Sequence, residues 1–285
     1  MAKSALLKSS IVKKYWMALT GLFLCLFLAG HLAGNLQLIF GDALQFNQYA
    51  LFMTSNPAVK LLSYLTYFSI LFHAVDGFML TYQNVKARPI GYAKTNPAAN
   101  SSFSSRNMAV LGTLILVFIV THMVNFWAVM HFDKNMPLMK QTIEIQGMKQ
   151  EFYVGRQVGQ FFPVDQVQLE GEAPNPMNPK QMVIKNRTDI YNVQANVKTA
   201  ELYKDLHKIT FAFFQHPKTG LIATLLYVLA MVVLSFHLLH GFQSAFQSLG
   251  VNNKFTPAIK TFGKLFAIIV PVLFAIIPVY IHFVK

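Results

Sequence analysis

The sequence GLFLCLFLAGHLAGN, residues 21–35, is the most informative stretch of this chain. It lies in an apolar run, residues 15–40, that contains no Asp, Glu, Lys or Arg. A helix rises about 1.5 Å per residue, so this run is longer than the ~30 Å hydrocarbon core of a bilayer. His31 lies inside the run, and an ionisable side chain at that depth is costly and usually marks function. The stretch therefore predicts a transmembrane helix with a functional histidine.

Four more apolar runs of similar length follow along the chain. They are residues 58–82, 108–130, 221–246 and 257–283. The whole chain of 285 residues is 54% hydrophobic and only 12% charged, whereas soluble domains carry about 25% charged residues. The sequence predicts an all-α membrane protein in which residues 1–285 form a single membrane domain with five transmembrane helices.

Composition excludes several classes of function. The net charge is +13, but the cations lie in short blocks between apolar runs, as in membrane proteins, so we expect no nucleic-acid partner. Cys25 is the only cysteine, which excludes disulfides and Cys-ligated iron–sulfur clusters. There is no Cys-x-x-Cys-His motif for covalent haem and no Gly-x-Gly-x-x-Gly motif for a flavin or nucleotide. Any redox partner must be another subunit.

The distribution of basic residues predicts the orientation in the membrane. Blocks of cations precede the first run and fill the connections between runs two and three and between runs four and five: Lys3, Lys8, Lys13 and Lys14; Lys86, Arg88, Lys94 and Arg106; Lys254 and Lys260. The first connection holds Asp42 and no cation before Lys60. The positive-inside rule therefore places the N-terminus in the cytoplasm. We expect a multi-pass protein of the bacterial inner (cytoplasmic) membrane.

A long connection, residues 131–218, separates runs three and four and contains no spanning segment. The predicted topology puts this extramembrane insert outside, and long loops are exempt from the charge rule. Near its end, Leu202, Leu206, Ile209 and Phe213 recur at helical spacing. This pattern predicts an amphipathic helix at the membrane interface.

Four of the nine histidines lie well inside four different runs: His31, His73, His122 and His237. A single one would be explained equally well by an interhelical hydrogen bond. In the predicted topology, however, each lies about 21–24 Å from the face at which its own helix starts. His31 and His122 then share a layer near the outer face, and His73 and His237 share one near the cytoplasmic face. Paired imidazoles at two depths predict two bis-histidine haems in a four-helix bundle.

Neighbouring residues support the same interpretation. Glycines flank three of the four histidines (Gly30 and Gly34, Gly77, Gly241), where they would clear space for a porphyrin, although small residues also serve helix packing. Phe126 follows His122 at i+4 and would stack on a haem instead. His240 lies one turn after His237, at the depth of haem propionates, and we expect it to bind a propionate there. Asp76 is equally well explained as a proton or quinone group or as a partner for a hydroxyl.

Two motifs carry a family resemblance. Residues 21–35 and FHLLHGFQSAFQSLG, residues 236–250, resemble the cytochrome b subunit of succinate:quinone oxidoreductases, in particular the b558 class with five helices and two haems. The resemblance covers all five runs and implies two haem b groups held by His31, His73, His122 and His237. It further implies a flavoprotein and an iron–sulfur subunit as partners, and menaquinone as the usual quinone.

We therefore expect a di-haem membrane anchor of succinate dehydrogenase that passes electrons between the iron–sulfur subunit and quinone. A quinol:fumarate reductase anchor, or a cytochrome b of another dehydrogenase, would share these features. A transporter with proton-relay histidines would not bind haem. Two features depart from the family: the insert is unusually long, and Ser235 stands where some fumarate-reducing relatives have glutamate, which puts a proton path through such a carboxylate in doubt.

Overall fold

A computed structural model of the chain describes residues 10–90, 94, 96–173, 175–177 and 179–284. Lys3 and Lys8, used above to predict the orientation, lie outside these residues. The helices are α1 Ser10–Asn35, α2 Gln37–Phe40, α3 Ala43–Ser55, α4 Pro57–Lys86, α5 Pro97–Asn100, α6 Phe103–Arg106, α7 Met108–His122, a π-helix Met123–Ala128, α8 Val129–Phe132, α9 Leu206–Phe214, α10 Gly220–Ser248 and α11 Thr256–Phe283.

Five helical segments are long and apolar enough to cross a membrane, as predicted. They are Ile11–Phe40, Pro57–Lys86, Met108–Phe132, Gly220–Ser248 and Thr256–Phe283. Each predicted run lies within one of them. Large apolar side chains are exposed along these segments, for example Leu26 (70%) and Leu61 (61%), as expected for helices that face lipid.

Local sequence explains where the second spanning helix begins. The Asn56 side chain accepts hydrogen bonds from the backbone N–H groups of Ala58 (2.9 Å) and Val59 (3.3 Å). These are donors that a helix start leaves without an intrahelical partner. Pro57 occupies the first helical position, where its missing N–H costs nothing. An Asn-Pro pair thus fixes the start of α4.

The chain divides into two compact units, which we describe separately. The first comprises the described parts of Met1–Ile39, Ser55–Thr121 and Phe214–Lys285. In it, α10 packs against α11, and α1 packs against α4, α10 and α11. A buried apolar cluster lies between these helices: Cys25, Met231, Leu234, Leu238, Phe242 and Ala267. A Cβ on Gly263 would stand only 2.5 Å from Cδ1 of Phe242, so a glycine at this position allows α10 and α11 to pack closely.

The second unit, Phe40–Thr54 with His122–Phe213, corrects the all-α prediction because it contains two β-sheets. The strands are β1 Lys140–Ile145, β2 Met148–Val154, β3 Phe161–Pro163, β4 Val167–Gln168, β5 Met182–Lys185, β6 Asp189–Asn192 and β7 Lys198–Glu201. The first sheet has the antiparallel order β1-β2-β3, and the second has the order β4-β5-β6-β7 with β4 and β5 parallel. Tyr153 of β2 packs in one apolar cluster with Val167, Ile184 and Ile190 of the second sheet. The insert is therefore a small β-rich fold with its own core.

The predicted amphipathic helix is present but shorter than the apolar pattern indicated. It is α9, Leu206–Phe214, while Leu202 is fully buried in extended backbone and bridges to Gly155. Asp205 explains where the helix begins, because its carboxylate accepts the backbone N–H of Lys208 at 2.9 Å. Such a side-chain cap supplies a partner for one of the free N–H groups of the first turn.

Candidate functional site

His73 of α4 and His237 of α10 are brought together, as the depth argument predicted. Their ring centroids are 6.2 Å apart and their planes make an angle of 69°. Both helices pack against α1, which helps to position the two rings within the first unit. Residues 164 positions apart in the sequence therefore form one site, and both rings are half-buried.

This separation would suit two imidazoles that hold one metal ion between them. An imidazole nitrogen binds a transition metal at about 2.0–2.1 Å, so two nitrogens on opposite sides of one metal are about 4 Å apart, and each ring centroid lies roughly 1 Å further back. The resulting separation of about 6 Å agrees with the observed 6.2 Å. Rotation about the metal–nitrogen bond leaves the angle between the planes free.

Thr20 of α1 contacts the ring of His73. Its buried hydroxyl lies 2.7 Å from the Trp16 carbonyl and 3.3 Å from Nδ1 of His73. In the tautomer of His73 that donates from Nδ1 to this hydroxyl, the Nε2 lone pair is left to bind a metal. A partner that orients a ligand in this way is typical of metal-binding histidines.

Gly21, next to Thr20, lets the His73 ring approach the backbone of α1. A Cβ at this position would lie 3.1 Å from Cε1 of the ring, closer than ordinary van der Waals contact. Neither Thr20 nor Gly21 was predicted to contribute to the site. The spacing of histidines does not reveal them, because they lie on a different helix.

His237 offers a buried nitrogen with no partner. Its Nδ1 is buried and makes no hydrogen bond among the described residues, a costly state for a polar atom unless a ligand compensates. A Cβ on Gly112 would stand 3.7 Å from Cε1 of His237, an ordinary van der Waals contact. A Cβ on Gly241 would meet only Cδ2 of the same ring, at 4.0 Å, and the room for a porphyrin beside it stays a prediction.

His31 lies in the first unit against aromatic rings. It stacks on Phe27 with a centroid distance of 5.3 Å and an interplanar angle of 14°, and Phe274 lies 5.7 Å away. The Asn35 amide donates to the His31 carbonyl at 2.8 Å and lies 3.3 Å from Nδ1. Gly30 is exposed, and a Cβ on it would meet nothing among the described residues within 4 Å.

His122 belongs to the second unit and immediately precedes the π-helix Met123–Ala128. Such wide turns are rare and occur frequently at functional sites. Phe126 is tilted against His122 with a centroid distance of 5.3 Å, and its stacking on a haem stays a prediction. The pairing of His122 with His31 stays a prediction.

The two remaining candidates from the sequence are His240 and Asp76. His240 is half-buried on α10, three residues after His237. Asp76 is half-buried three residues after His73. Within the described part of the chain, no three His, Cys, Asp or Glu side chains converge to hold a metal ion alone. A bis-histidine haem needs only two protein ligands, and His73 and His237 provide such a pair.

Comparisons of this chain with models of protein families, with characterised proteins and with solved structures find no match.

Proposed function

We propose that this chain is a di-haem cytochrome b, the membrane anchor of a succinate:quinone oxidoreductase. The observation that carries the proposal is the His73–His237 pair, whose ring centroids are 6.2 Å apart. Two features of the pair favour an iron ligand over a simple interhelical contact. Thr20 lies where it accepts a proton from Nδ1 of the His73 tautomer whose Nε2 binds a metal, and Nδ1 of His237 is buried with no partner in the described chain.

The proposal comprises two haem b groups, of which the pair His73 and His237 supports the inner one. His73 and His237 would hold the inner one, and His31 and His122 the outer one. A bound haem supplies a one-electron carrier, and the protein tunes it through its ligands and their hydrogen bonds. Thr20 would fix the tautomer and orientation of His73. Gly21 would let that ring approach α1, and Gly241 would leave space beside His237.

The chain would carry electrons between an iron–sulfur subunit and a quinone, with menaquinone as the expected substrate. A flavoprotein subunit would perform the dicarboxylate chemistry, because no flavin or nucleotide motif occurs in this sequence. The two motifs at residues 21–35 and 236–250 support these partners by resemblance. A fumarate reductase anchor would use the same residues in the opposite direction.

A reduced-minus-oxidised absorbance spectrum of the purified chain tests the proposal. We expect b-type haem bands and two haems per chain in a pyridine haemochrome assay. Subunit mass analysis of the complex purified from membranes would identify the flavoprotein and iron–sulfur partners. Absence of haem bands would refute the proposal and favour the proton-relay transporter.

Substitution of the ligands tests the pairing. His73→Ala or His237→Ala should remove one redox component in a potentiometric titration, and His31→Ala or His122→Ala should remove the other. The reason is that each haem loses one of its two axial nitrogens. The pairing is wrong if His31→Ala and His73→Ala delete the same component.

A further inference from the structure

The second unit contains a cavity of about 120 Å³. None of the residues that line it has a role in the proposed electron transfer. It lies between α3, the end of the third spanning segment and the chain segments around Arg156 and Lys204. Its polar lining is Asn47, Thr54, His131, Arg156, Tyr203 and Lys204. Two of these residues are cations and none is acidic, so the cavity has a positive lining.

The positive charge of Lys204 lacks a compensating partner. Its Nζ donates to the Met130 carbonyl at 2.6 Å, and no carboxylate of the described residues forms an ion pair with it. Burial lowers the pKa of Lys204, and the positive charges of Arg187 and Arg156 lower it further. A partly buried cation beside other cations is unfavourable, and a bound anion would relieve that cost.

Arg156 has hydrogen-bond donors left for a ligand. It pairs with Glu201 through Nη1, and its Nε donates to the Leu202 carbonyl at 3.3 Å. A guanidinium has five N–H donors in a planar fork, so these contacts do not exhaust it. Glu201 balances the charge of Arg156, and Lys198, which also pairs with Glu201, has a second carboxylate partner in Asp189 at 3.1 Å. Arg156 and Lys204 thus present hydrogen-bond donors to the same cavity, and Lys204 supplies its uncompensated positive charge.

We propose that this cavity binds a single phosphate group through Arg156 and Lys204. Arg and Lys are the residues that recognise phosphate most strongly, because their hydrogen bonds to it are charge-assisted. The volume suits a compact oxyanion, whereas pockets for drug-sized organic ligands are about 300–1,000 Å³. Met130 and His131 lie near the end of a segment that is long and apolar enough to span a membrane, and lipid headgroups are found at the ends of such segments. The phosphate is therefore that of an anionic phospholipid or a free ion.

Equilibrium dialysis of the purified full-length chain against radiolabelled inorganic phosphate tests the proposal. The protein is kept in a maltoside detergent, which contains no phosphorus, and lipid retained through purification is counted by phosphorus analysis. We expect one phosphate group per chain, bound or retained. A second arm adds phosphatidylglycerol: displacement of inorganic phosphate identifies the lipid headgroup as the natural ligand, and unchanged binding identifies the free ion.

Charge variants locate the site. Lys204→Met and Arg156→Gln should each weaken phosphate binding about tenfold or more, since each removes a charge-assisted hydrogen bond. Lys204→Arg keeps the charge and should retain most of the binding. The matched control is Lys149→Met, which removes one lysine from the exposed face of β2 in the same unit and should bind as the wild type does.

Three results would overturn the proposal: no phosphate bound or retained by the wild type, wild-type binding by Lys204→Met, or an equal loss in Lys149→Met. A lower haem content in Lys204→Met with unchanged phosphate binding would also overturn it, because the cavity would then hold a haem carboxylate. The haem spectrum of the wild type is independent of all these outcomes.

Discussion

Thr20→Val removes the hydroxyl that contacts His73 and leaves a side chain of almost the same shape. A hydrogen bond from Nδ1 raises the basicity of the opposite nitrogen and so favours the ferric state of a bound haem. At 3.3 Å the contact is longer than the usual 2.7–3.2 Å for N–H···O, which puts its contribution near the lower end, about 0.5–1 kcal/mol. For one electron, about 59 mV corresponds to a tenfold change. We therefore expect the midpoint potential of the inner haem to rise by about 20–40 mV.

Thr66→Val is the matched control for this substitution. Thr66 is buried to the same degree as Thr20, at 4% against 5% exposure, and its hydroxyl also donates to a carbonyl four residues earlier, that of Leu62 at 2.9 Å. No histidine contact of Thr66 occurs among the described residues, so the same loss of a hydroxyl should leave both potentials unchanged. Potentiometric titration of the two variants beside the wild type measures the difference. Equal shifts in both, or no shift in Thr20→Val, would refute the role of Thr20.

Three further substitutions test other parts of the argument. His240→Ala should keep both haems and shift only the inner potential, because it loses a propionate hydrogen bond; loss of a haem would contradict this. Lys149→Cys should react with a membrane-impermeant maleimide from outside once the outer envelope is opened, and the buried Cys25 should not interfere. Labelling only from the cytoplasm would invert the topology. Gly21→Ala presses a Cβ against His73 and should reduce inner haem, whereas Gly30→Ala should retain it; equal losses would show that the contact is unimportant.

The spanning helices were predictable because a bilayer demands length and apolarity, and both are visible in the sequence. Their ends depend on local capping, so the predicted bounds differed by a few residues. Asn56 and Pro57 were a readable start signal for α4, one residue before the predicted run. The site was predictable in part. The depth of the histidines along their helices predicted that His73 lies beside His237. The contact of Thr20, 53 residues from His73 in sequence, could not be inferred from residue spacing.

The sheets of the insert were missed because its strands are short and lie outside any membrane constraint. One signal was present. Gln146 and Gly147 join β1 to β2 with positive φ angles of 53° and 81°, the conformation of a two-residue hairpin turn. The flanking residues place Ile143 and Ile145 two apart on β1, as on one face of a strand. A glycine in a two-residue connection therefore indicated a hairpin in a segment for which no strand was predicted.

Asn47 links the two ends of the second unit, and this contact has a consequence for biogenesis. Its buried amide donates to Asp205 at 2.9 Å, and its carbonyl oxygen accepts the backbone N–H of His207 at 3.1 Å. Asp205 follows Asn47 by 158 residues, which take roughly 8–30 s to synthesise at ribosomal rates of about 5–20 residues per second. Two candidate spanning segments, Pro57–Lys86 and Met108–Phe132, are synthesised in this interval. Until it ends, the Asn47 amide has no Asp205 carboxylate to which it can donate. The second unit can close only after Asp205 has been synthesised, so its closure reports that the first three candidate spanning segments are already made.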